Sequence, residues 1–377
     1  MLYATTATTH LGNIAHNLRG VRQRVGETKV LAAVKANAYG HGAVEVGRLL
    51  EREGLADWLG VATVPEGLEL RQAGVRLPIL KLSHALTDAE IEAALGADVA
   101  LAVVDADSID QVAAVSQRLG VDAVVHLKLD SGMGRIGVPA EDAAALAVRC
   151  DDRGLVLQGV FSHMPVSDVP AGAAFTAAQI ARFRAATEAI EDARGPVALR
   201  HLSASAGVLM HPDAWFDMVR PGIICYGSLP DPLSDPAVDL RPAMSWHTAV
   251  TFVKPVRAGE TVSYGRTWTA PADTWIATIP VGYADGFSRL FSNRGRVLIG
   301  GRSYPVAGRV CMDQTMIDLG PVRAGAPAPV AVGDRVTLLG TDGDERIDAQ
   351  ELADLMGTIT YEVTCLVGRR VGRIYEP

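Results

Sequence analysis

The sequence predicts an α/β fold in which a (β/α)8 barrel of the TIM type precedes a C-terminal all-β domain. Three observations support this prediction. Eight short apolar segments alternate with helical segments in the first part of the chain, a proline-rich segment follows, and short strand-like segments dominate thereafter. Alternating strands and helices form right-handed units with parallel strands, and eight units favour a closed barrel. Periodicity alone does not separate this barrel from an open doubly wound sheet.

Length and composition limit the possible classes of protein. The chain has 377 residues, whereas a barrel alone takes about 250, so two domains are expected. Hydrophobic residues make up 49% and the formal net charge is -8, which argues against a general affinity for nucleic acid or anionic membranes and favours small-molecule ligands. The four cysteines have no metal-ligand or disulfide spacing, and the N-terminal residues do not resemble a signal peptide. We therefore expect a cytoplasmic protein without a structural metal.

The barrel elements follow one another in a regular order. Apolar residues at helical spacing predict a helix over Leu11–Val25 before the first strand. Buried parallel strands are recognised as short apolar runs between turn residues. The predicted barrel strands are Lys29–Val34, Trp58–Val64, Pro78–Leu82, Val99–Val104, Ala123–Leu129, Leu155–Phe161, Leu199–Ser203 and Met218–Tyr226.

The first strand ends abruptly at Lys35, where an apolar run gives way to ANAYGHG. A strand that ends in lysine presents one amine at the rim of the sheet, although a surface lysine closing a strand is an equally good interpretation of this stretch alone. If a helix begins at Ala36 or Asn37, Tyr39 lies four residues after Lys35 and points back over the same rim. The amine and phenol together are suited to a covalently held cofactor.

Several other predicted strands also end in polar residues. Ligands of such barrels bind at the C-terminal ends of the strands. One charged residue at a strand end is usually a solvated cap, but polar residues at the ends of five strands together predict a ligand site. RPGIICYG also places Gly222 and Ile223 where barrels often bind phosphate through backbone N–H groups. The polar residues are Lys35, Lys128, Asp130, His163, Ser203, Ser205 and Arg220.

The proline- and aspartate-rich segment LPDPLSDPAVDLRPA predicts the domain boundary. We expect a barrel over residues 10–230 and a β-rich domain over 231–377, with residues 1–9 a candidate part of the latter. Short β-rich runs with Gly and Pro turns fill this second domain, and helical periodicity returns only at Ala349–Met356.

Two motifs resemble nucleotide or metal sites but lack the required context. GMGRIG, residues 132–137, matches the dinucleotide pattern, yet Lys-Leu-Asp precedes it and Pro139 delays the next helix. TDGDERID, residues 341–348, begins like a calcium loop, but Arg346 and Ile347 occupy positions that require other residues. Neither motif therefore predicts a site.

Six motifs together resemble alanine racemase, a fold-type III pyridoxal phosphate enzyme. They occur in the order found in that family and cover both predicted domains. The resemblance implies interconversion of L- and D-alanine for cell-wall peptidoglycan, with pyridoxal 5'-phosphate as cofactor. It also implies a head-to-tail homodimer in which each β domain completes the partner's site. The motifs are AVKANAYGHG, LKLDSGMGRIG, RPGIICYG, VSYGR, PVGYADG and GRVCMDQTMID.

Roles for individual barrel residues are implied by the same resemblance. Lys35 binds the cofactor covalently, and Arg135 reaches the cofactor hydroxyl and the substrate carboxylate. Arg220, supported by His201, faces the pyridine nitrogen, and His163 links it towards Tyr264 as part of a cationic network. Lys128 matches a lysine that is carbamylated in some members. The residues expected to hold the phosphate are Tyr39, Ser205, Gly222, Ile223 and Tyr361.

The remaining implied residues come from the other subunit. They are Tyr264, Tyr283, Met312 and Asp313. Inverting an α-carbon requires one base on each face, and the resemblance assigns these roles to Lys35 and Tyr264. Met164-Pro165-Val166 departs from the family's Phe-Ala continuation after His163. The alternatives are a racemase of serine or another small amino acid, a fold-type III decarboxylase and a non-catalytic pyridoxal phosphate carrier.

Overall fold

The computed structural model describes residues 3–230 and 237–377, and residues 231–236 of the predicted boundary segment lie outside the described part. The chain divides into two compact units. One comprises Asn13–Arg241, and the other combines Met1–Gly12 with Pro242–Pro377. The residues before the barrel therefore belong to the same unit as the residues that follow it.

The first unit is the predicted (β/α)8 barrel. Neighbouring strands pair in parallel, and the last strand pairs with the first through Met218 opposite Lys29. Asp217 N donates to Arg200 O at 3.0 Å and Arg220 N to Ser203 O at 2.8 Å, which joins the seventh and eighth strand segments. The barrel strands are Lys29–Ala33, Trp58–Val61, Ile79–Lys81, Val99–Val103, Val124–Asp130, Val156–Phe161, Leu199–His201 and Met218–Val219.

Apolar side chains fill the barrel, and helices pack around it. A cluster that includes Leu31, Leu80, Ala100 and Leu199 is buried, as expected for strands that are covered on both faces. The helix Leu11–Val25 buries Ile14, Leu18 and Val21 at the predicted spacing. The other α-helices of this unit, apart from the turn after the first strand, are Ala43–Arg52, Val64–Gln72, Asp88–Gly96, Ala106–Leu119, Ala143–Asp152, Ala173–Arg194 and Ser205–Met210.

The prediction for the last barrel strand was too long. Only Met218–Val219 is strand, whereas Ile223–Tyr226 forms a 3-10 helix. Pro221 has no N–H to donate to a sheet, and Gly222 adopts φ -122° and ψ -92°, outside the strand region. The apolar run Ile223–Tyr226 is nevertheless buried, so its hydrophobicity reflects packing in the core and not strand structure.

The main sheet of the second unit contains strands from distant parts of the chain. Thr6–His10 pairs antiparallel with Met244–Ala249 and parallel with Gly372–Glu376. Phe252–Val256, Thr274–Ile279 and Thr315–Pro321 form a separate three-stranded sheet. The remaining strands are Thr261–Val262, Trp268–Thr269, Arg296–Ile299, Arg302–Pro305, Arg335–Asp342 and Glu345–Ile347.

Two α-helices accompany the strands in the described part of the second unit. Ala349–Met356 agrees with the helical periodicity of the sequence, whereas Thr360–Cys365 was not predicted. The segment TDGDERID forms a hairpin in which Asp342 pairs with Glu345. Asp348 then caps the following helix by accepting a hydrogen bond from Glu351 N. Among the residues that the structure describes, no helix has the length and apolarity needed to cross a membrane.

Candidate active site

Cationic side chains gather at the C-terminal ends of the barrel strands, as the sequence predicts. Lys128 Nζ lies 4.5 Å from the centre of the Phe161 ring, and Arg220 Cζ lies 5.5 Å from the same centre. Burial, followed by the charges of Arg220 and Arg135, lowers the pKa of Lys128 to about 7. The amine of Lys128 is therefore partly neutral at physiological pH. Sequence reasoning did not identify Phe161, the aromatic surface that both cations share.

The guanidinium of Arg220 is buried and held by several acceptors. Its Nη1 donates to His201 Nδ1 at 3.1 Å and to His201 O at 2.7 Å. Its Nη2 donates to Ser162 O at 2.6 Å and to Leu202 O at 3.1 Å, and lies 3.4 Å from His163 Nδ1. Burial and the charge of Arg135 lower the pKa of Arg220 to about 9. Arg220 thus remains a cation at neutral pH in one fixed orientation.

A second buried histidine continues this chain of hydrogen bonds. Because arginine can only donate, His201 Nδ1 must accept from Arg220, so the proton of His201 is on Nε2. That N–H lies 2.9 Å from His126 Nδ1 and donates to it. Burial lowers the pKa of His126 to about 3, and burial and the charge of Arg220 hold the pKa of His201 well below its usual range. The Arg220 guanidinium therefore donates to the neutral imidazole of His201, which in turn donates to the neutral imidazole of His126.

His126 was missed by the sequence analysis, although a signal for it existed. Successive strand residues face opposite sides of a sheet, so His126 lies on the same side as Lys128 and Asp130. Inspecting every second residue of this strand, starting from Lys128, would have identified His126.

The expectation that His163 is cationic was wrong. Burial, followed by the charge of Arg220, lowers the pKa of His163 to about 2. His163 is therefore a neutral hydrogen-bond partner of Arg220. The backbone carbonyl of His163 accepts from Gln179 Nε2 at 3.4 Å, which ties the residue to the long helix Ala173–Arg194.

Arg135 lies on an exposed loop that Asp130 organises. The Asp130 carboxylate accepts from Gly132 N at 2.9 Å and from Gly134 N at 2.9 Å. Gly137 adopts φ +138°, and a Cβ there would lie 2.7 Å from the Leu129 carbonyl carbon, so only glycine fits. The GMGRIG glycines thus shape a loop at a strand end and do not precede a helix as a dinucleotide motif would.

The segment after Lys35 is not the expected right-handed helix. Ala36, Asn37, Ala38 and Tyr39 all have φ between 52° and 55°, which makes one left-handed turn. For L-residues this conformation costs roughly 1–2 kcal/mol each, so the surrounding contacts must stabilise it. Gly40, which is also left-handed, ends the turn. Because the turn is left-handed, Tyr39 does not take the position over the Lys35 rim that a right-handed helix was expected to give it.

Tyr39 instead lies against the predicted phosphate-binding backbone. An added Cβ on Gly222 would lie 2.5 Å from the Tyr39 hydroxyl oxygen, so this phenol approaches the backbone because residue 222 has no side chain. The Ser205 hydroxyl accepts from Gly222 N at 2.9 Å. Tyr39, Ser205 and Gly222 therefore converge, and buried Ile223 follows directly as the first residue of its 3-10 helix. This group forms a cradle of hydroxyl and backbone groups, in which the Gly222 N–H already donates to Ser205.

The remaining predicted phosphate ligand, Tyr361, lies in the sheet unit on the helix Thr360–Cys365 and is half-buried.

Met164 is the first residue of the segment that departs from the family pattern after His163. Met164 is buried, and its terminal methyl lies 3.0 Å from the position that a Cβ on Gly207 would take. Met164 thus packs against the helix that begins at Ser205.

The four residues expected to serve a partner subunit are brought together within the sheet unit. Tyr283 N and Ala284 N donate to the carbonyl oxygens of Cys311 and Met312, both at 3.1 Å. The Ser263 hydroxyl, next to Tyr264, donates to Arg309 O at 2.6 Å. The segments that carry Tyr264 and Tyr283 thus both bond to the backbone of the loop over residues 309–312. Tyr264 is 72%, Met312 52% and Tyr283 42% exposed, so these three apolar side chains are accessible.

An arginine fixes this loop and was not identified from the sequence. Arg370 Nε lies 2.6 Å from the buried carboxylate of Asp285, and Arg370 Nη1 lies 2.8 Å from Asp313. The hydrogen bonds to Asp285 and Asp313 raise the pKa of Arg370. Asp313 is thus half of an ion pair that holds Met312 next to Tyr283.

Family models and curated relatives match both units. The model of the alanine racemase N-terminal domain matches residues 9–230, and that of the C-terminal domain matches residues 243–375. The alanine racemase of Cutibacterium acnes is 52% identical, covering 97% of this chain and 96% of its own. The alanine racemase of Symbiobacterium thermophilum is 43% identical, covering 98% and 97%.

Solved structures give the same result. The alanine racemase of Clostridium difficile 630 superimposes with a TM-score of 0.92 at 35% identity, covering 100% of this chain and 96% of its own. The alanine racemase of Bacillus anthracis with bound L-Ala-P superimposes with a TM-score of 0.92 at 33% identity, covering 100% of this chain and 96% of its own. These matches identify the chain as a racemase, an enzyme of the isomerase class. The chain belongs to the alanine racemase family, which confirms the resemblance stated from its motifs.

Proposed function

We propose that the protein racemises alanine with pyridoxal 5'-phosphate and two bases, Lys35 on one face of the α-carbon and Tyr264 of a partner subunit on the other. The observation that carries this proposal is the buried Arg220, held by His201 at the ends of the barrel strands. A fold-type III decarboxylase would need a carboxylate facing the ring nitrogen, whereas arginine cannot accept a proton there. The L-Ala-P bound to the Bacillus anthracis relative supports alanine as the substrate.

The residues present are suited to this cofactor. The cradle of Tyr39, Ser205, Gly222 and Ile223 offers hydroxyl and backbone groups of the kind that bind phosphate, and Tyr361 is the remaining proposed phosphate ligand. Lys35 supplies the amine for covalent attachment. When bound, pyridoxal phosphate withdraws electrons from the substrate's α-carbon and makes its hydrogen removable.

Substituting Gly222→Ala should weaken cofactor binding by at least about tenfold, the equivalent of about 1.4 kcal/mol. The added methyl group would overlap the Tyr39 hydroxyl at 2.5 Å, so Tyr39 must leave the cradle. Titrating cofactor-free protein with pyridoxal phosphate measures the loss. Gly96→Ala is the matched control, because a Cβ there meets no atom within 4 Å. Equal affinity in the two variants would contradict a phosphate site at Gly222.

Arg220 is proposed to face the pyridine nitrogen and to leave it unprotonated. Both terminal nitrogens of Arg220 bond to protein acceptors, whereas Nε has no hydrogen-bond partner in residues 3–230 and 237–377. Nε is therefore the proposed donor to the ring. An unprotonated pyridine ring withdraws electrons less strongly. This favours rapid return of a proton to the α-carbon over transamination.

Lys128 is proposed to carry a carbamate that pairs with Arg135. A neutral lysine amine attacks CO2, the N–C bond forms and one proton is released. The neutral fraction grows as pH rises through the Lys128 pKa of about 7. The product is an anion among Arg135, Arg220 and Lys35, so the three charges that lower the Lys128 pKa would stabilise the modified side chain.

CO2-free buffer should therefore raise the KM for alanine several-fold at pH 8, and added bicarbonate should restore it. The charge on Arg135 would be unpaired without the carbamate, and carboxylate binding would lose its orientation. Native mass spectrometry should detect the mass of one CO2 per chain, and Lys128→Gln should lose both the added mass and the bicarbonate response. An unchanged KM in CO2-free buffer with no added mass would refute the modification.

The surface that contains Tyr264 and Met312 is proposed to complete the active site of a second subunit in a head-to-tail homodimer. Tyr264 would act as the second base, while Tyr283, Met312 and Asp313 would line and support the pocket. The exposure of Tyr264 and Met312 supports this arrangement, because apolar side chains clustered at a surface are typical of an interface. We also propose a cytoplasmic location and a role in supplying D-alanine for peptidoglycan.

The function is tested directly by adding pyridoxal phosphate to the purified protein and measuring circular dichroism of L- and D-alanine with time. We expect a yellow protein that converts either enantiomer to the racemate. Initial rates with serine and other small amino acids then establish the substrate range. A protein that never binds pyridoxal phosphate, or that binds it but leaves both alanine enantiomers unchanged, would refute the proposal.

A further inference from the structure

We infer that Glu66 is a positioning residue for Lys35, acting through the left-handed turn. This inference rests on the proposed role of Lys35 in the proposed function. Glu66 is half-buried at the beginning of the helix Val64–Gln72, which follows the second barrel strand. It is assigned no contact with substrate or cofactor.

The carboxylate of Glu66 binds backbone groups from two neighbouring strand ends. Glu66 Oε1 accepts from Ala36 N at 2.7 Å. Glu66 Oε2 accepts from Ala62 N at 2.7 Å and from Thr63 N at 3.1 Å. Hydrogen bonds from backbone N–H groups to an ionised carboxylate are stronger than neutral ones. One side chain thus links the loops that follow the first and second barrel strands.

The bond to Ala36 fixes the peptide group that follows Lys35. Because a peptide group is planar, fixing the direction of the Ala36 N–H also fixes the Lys35 carbonyl and the orientation of the Lys35 backbone. Ala36 is also the first left-handed residue of the turn. Such conformations persist only where surrounding contacts enforce them, and Ala36 itself is exposed. Glu66 therefore restrains the beginning of this turn, together with the hydrogen bond from Ala38 N to Val34 O at 2.7 Å.

A second side chain, that of Asn37, links the same turn to the next helix. Asn37 Oδ1 accepts from Ala43 N at 2.8 Å, at the beginning of the next helix. Val34 N donates to Gly60 O at 2.9 Å and joins the same two strands just before Lys35. Lys35 thus lies between a sheet hydrogen bond and the Glu66 bond. Loss of Glu66 should loosen the turn without opening the barrel.

The test compares Glu66→Ala, Glu66→Gln and the matched control Glu69→Ala. Glu69 lies on the same helix and is exposed, so its removal changes the charge equally without affecting the turn. Glutamine keeps one acceptor oxygen and should retain part of the restraint. Hydrogen exchange of the full-length, cofactor-free chain is measured by mass spectrometry on peptides over residues 34–42, with the barrel strands as internal references. The rate of covalent cofactor attachment at Lys35 is measured separately by absorbance.

We expect Glu66→Ala to exchange at least about tenfold faster over residues 34–42 and to bind cofactor covalently at least about tenfold more slowly, changes equivalent to about 1.4 kcal/mol. Glu66→Gln should lie between Glu66→Ala and the wild type, and Glu69→Ala should match the wild type. Unchanged exchange, unchanged attachment, or faster exchange throughout the barrel would each overturn the inference. If Glu66→Ala does not fold, Glu66→Gln decides by the same criteria.

Hydrogen exchange also separates this inference from the proposed function. A wild-type chain that never attaches pyridoxal phosphate would refute the proposed function and with it the role of Lys35. Faster exchange in Glu66→Ala would then still establish that Glu66 holds the turn.

Discussion

Lys35→Ala should abolish racemisation, with a loss of at least about 10⁴-fold in kcat, because it removes a base and the covalent attachment of the cofactor together. Alanine retains the backbone and cannot transfer a proton. The strand Lys29–Ala33 and the left-handed turn should remain folded, since backbone hydrogen bonds pair the strand with its neighbours and the side chains of Glu66 and Asn37 still bind the turn. Polarimetric assays at saturating cofactor measure the loss.

Lys29→Ala is the matched control for this substitution. Lys29 begins the same strand and is exposed at its opposite end, so its removal should leave activity near that of the wild type. Residual activity of more than a few per cent in Lys35→Ala, with cofactor bound, would mean that another group acts as the base on that face.

Tyr264→Phe should lower racemisation by about 10²–10⁴-fold, the range expected for loss of one general acid–base group. Phenylalanine keeps the ring and removes only the hydroxyl. Lys35 should still remove and return the α-hydrogen on its own face. One alanine enantiomer should therefore continue to exchange its α-hydrogen with deuterated solvent without inversion, which NMR can follow. Tyr375→Phe, which alters another partly exposed tyrosine of the sheet unit, should behave as the wild type.

Mixing inactive Lys35→Ala with inactive Tyr264→Phe subunits tests where the second base comes from. Shared sites predict that a hybrid dimer regains one intact site, because one barrel supplies Lys35 and the other subunit supplies Tyr264. No recovery after proven subunit exchange would contradict shared sites. Exchange of both enantiomers in Tyr264→Phe alone would exclude this tyrosine as the second base.

The sequence predicted the barrel because its strands are buried on both faces and therefore appear as short apolar runs. It also predicted which polar residues meet, since strand ends of a parallel barrel converge at one rim: Lys128 and Arg220 are separated along the chain but share the Phe161 ring. The same reasoning failed at Ile223–Tyr226, where a buried 3-10 helix has the composition of a strand.

The features that escaped prediction depend on contacts between distant residues. The left-handed turn after Lys35 contains no glycine until Gly40, and local propensity disfavours it, so tertiary restraints such as Glu66 determine its handedness. The neutral state of His163 results from burial beside Arg220. Arg370 is remote in sequence from Asp285 and Asp313, the carboxylates that it joins. Spacing along one strand or helix carries no information about such pairs.

The position of the strand Thr6–His10 has a consequence for the order of folding during synthesis. This strand leaves the ribosome before the barrel, yet both of its sheet neighbours, Met244–Ala249 and Gly372–Glu376, are translated after the barrel. Its backbone donors and acceptors therefore stay unpaired with either neighbour while more than half of the chain emerges, and an unpaired strand edge is prone to association with other chains. The barrel, which is continuous in sequence, can form in that interval. A nascent chain thus needs protection at the strand Thr6–His10 for longer than at the barrel.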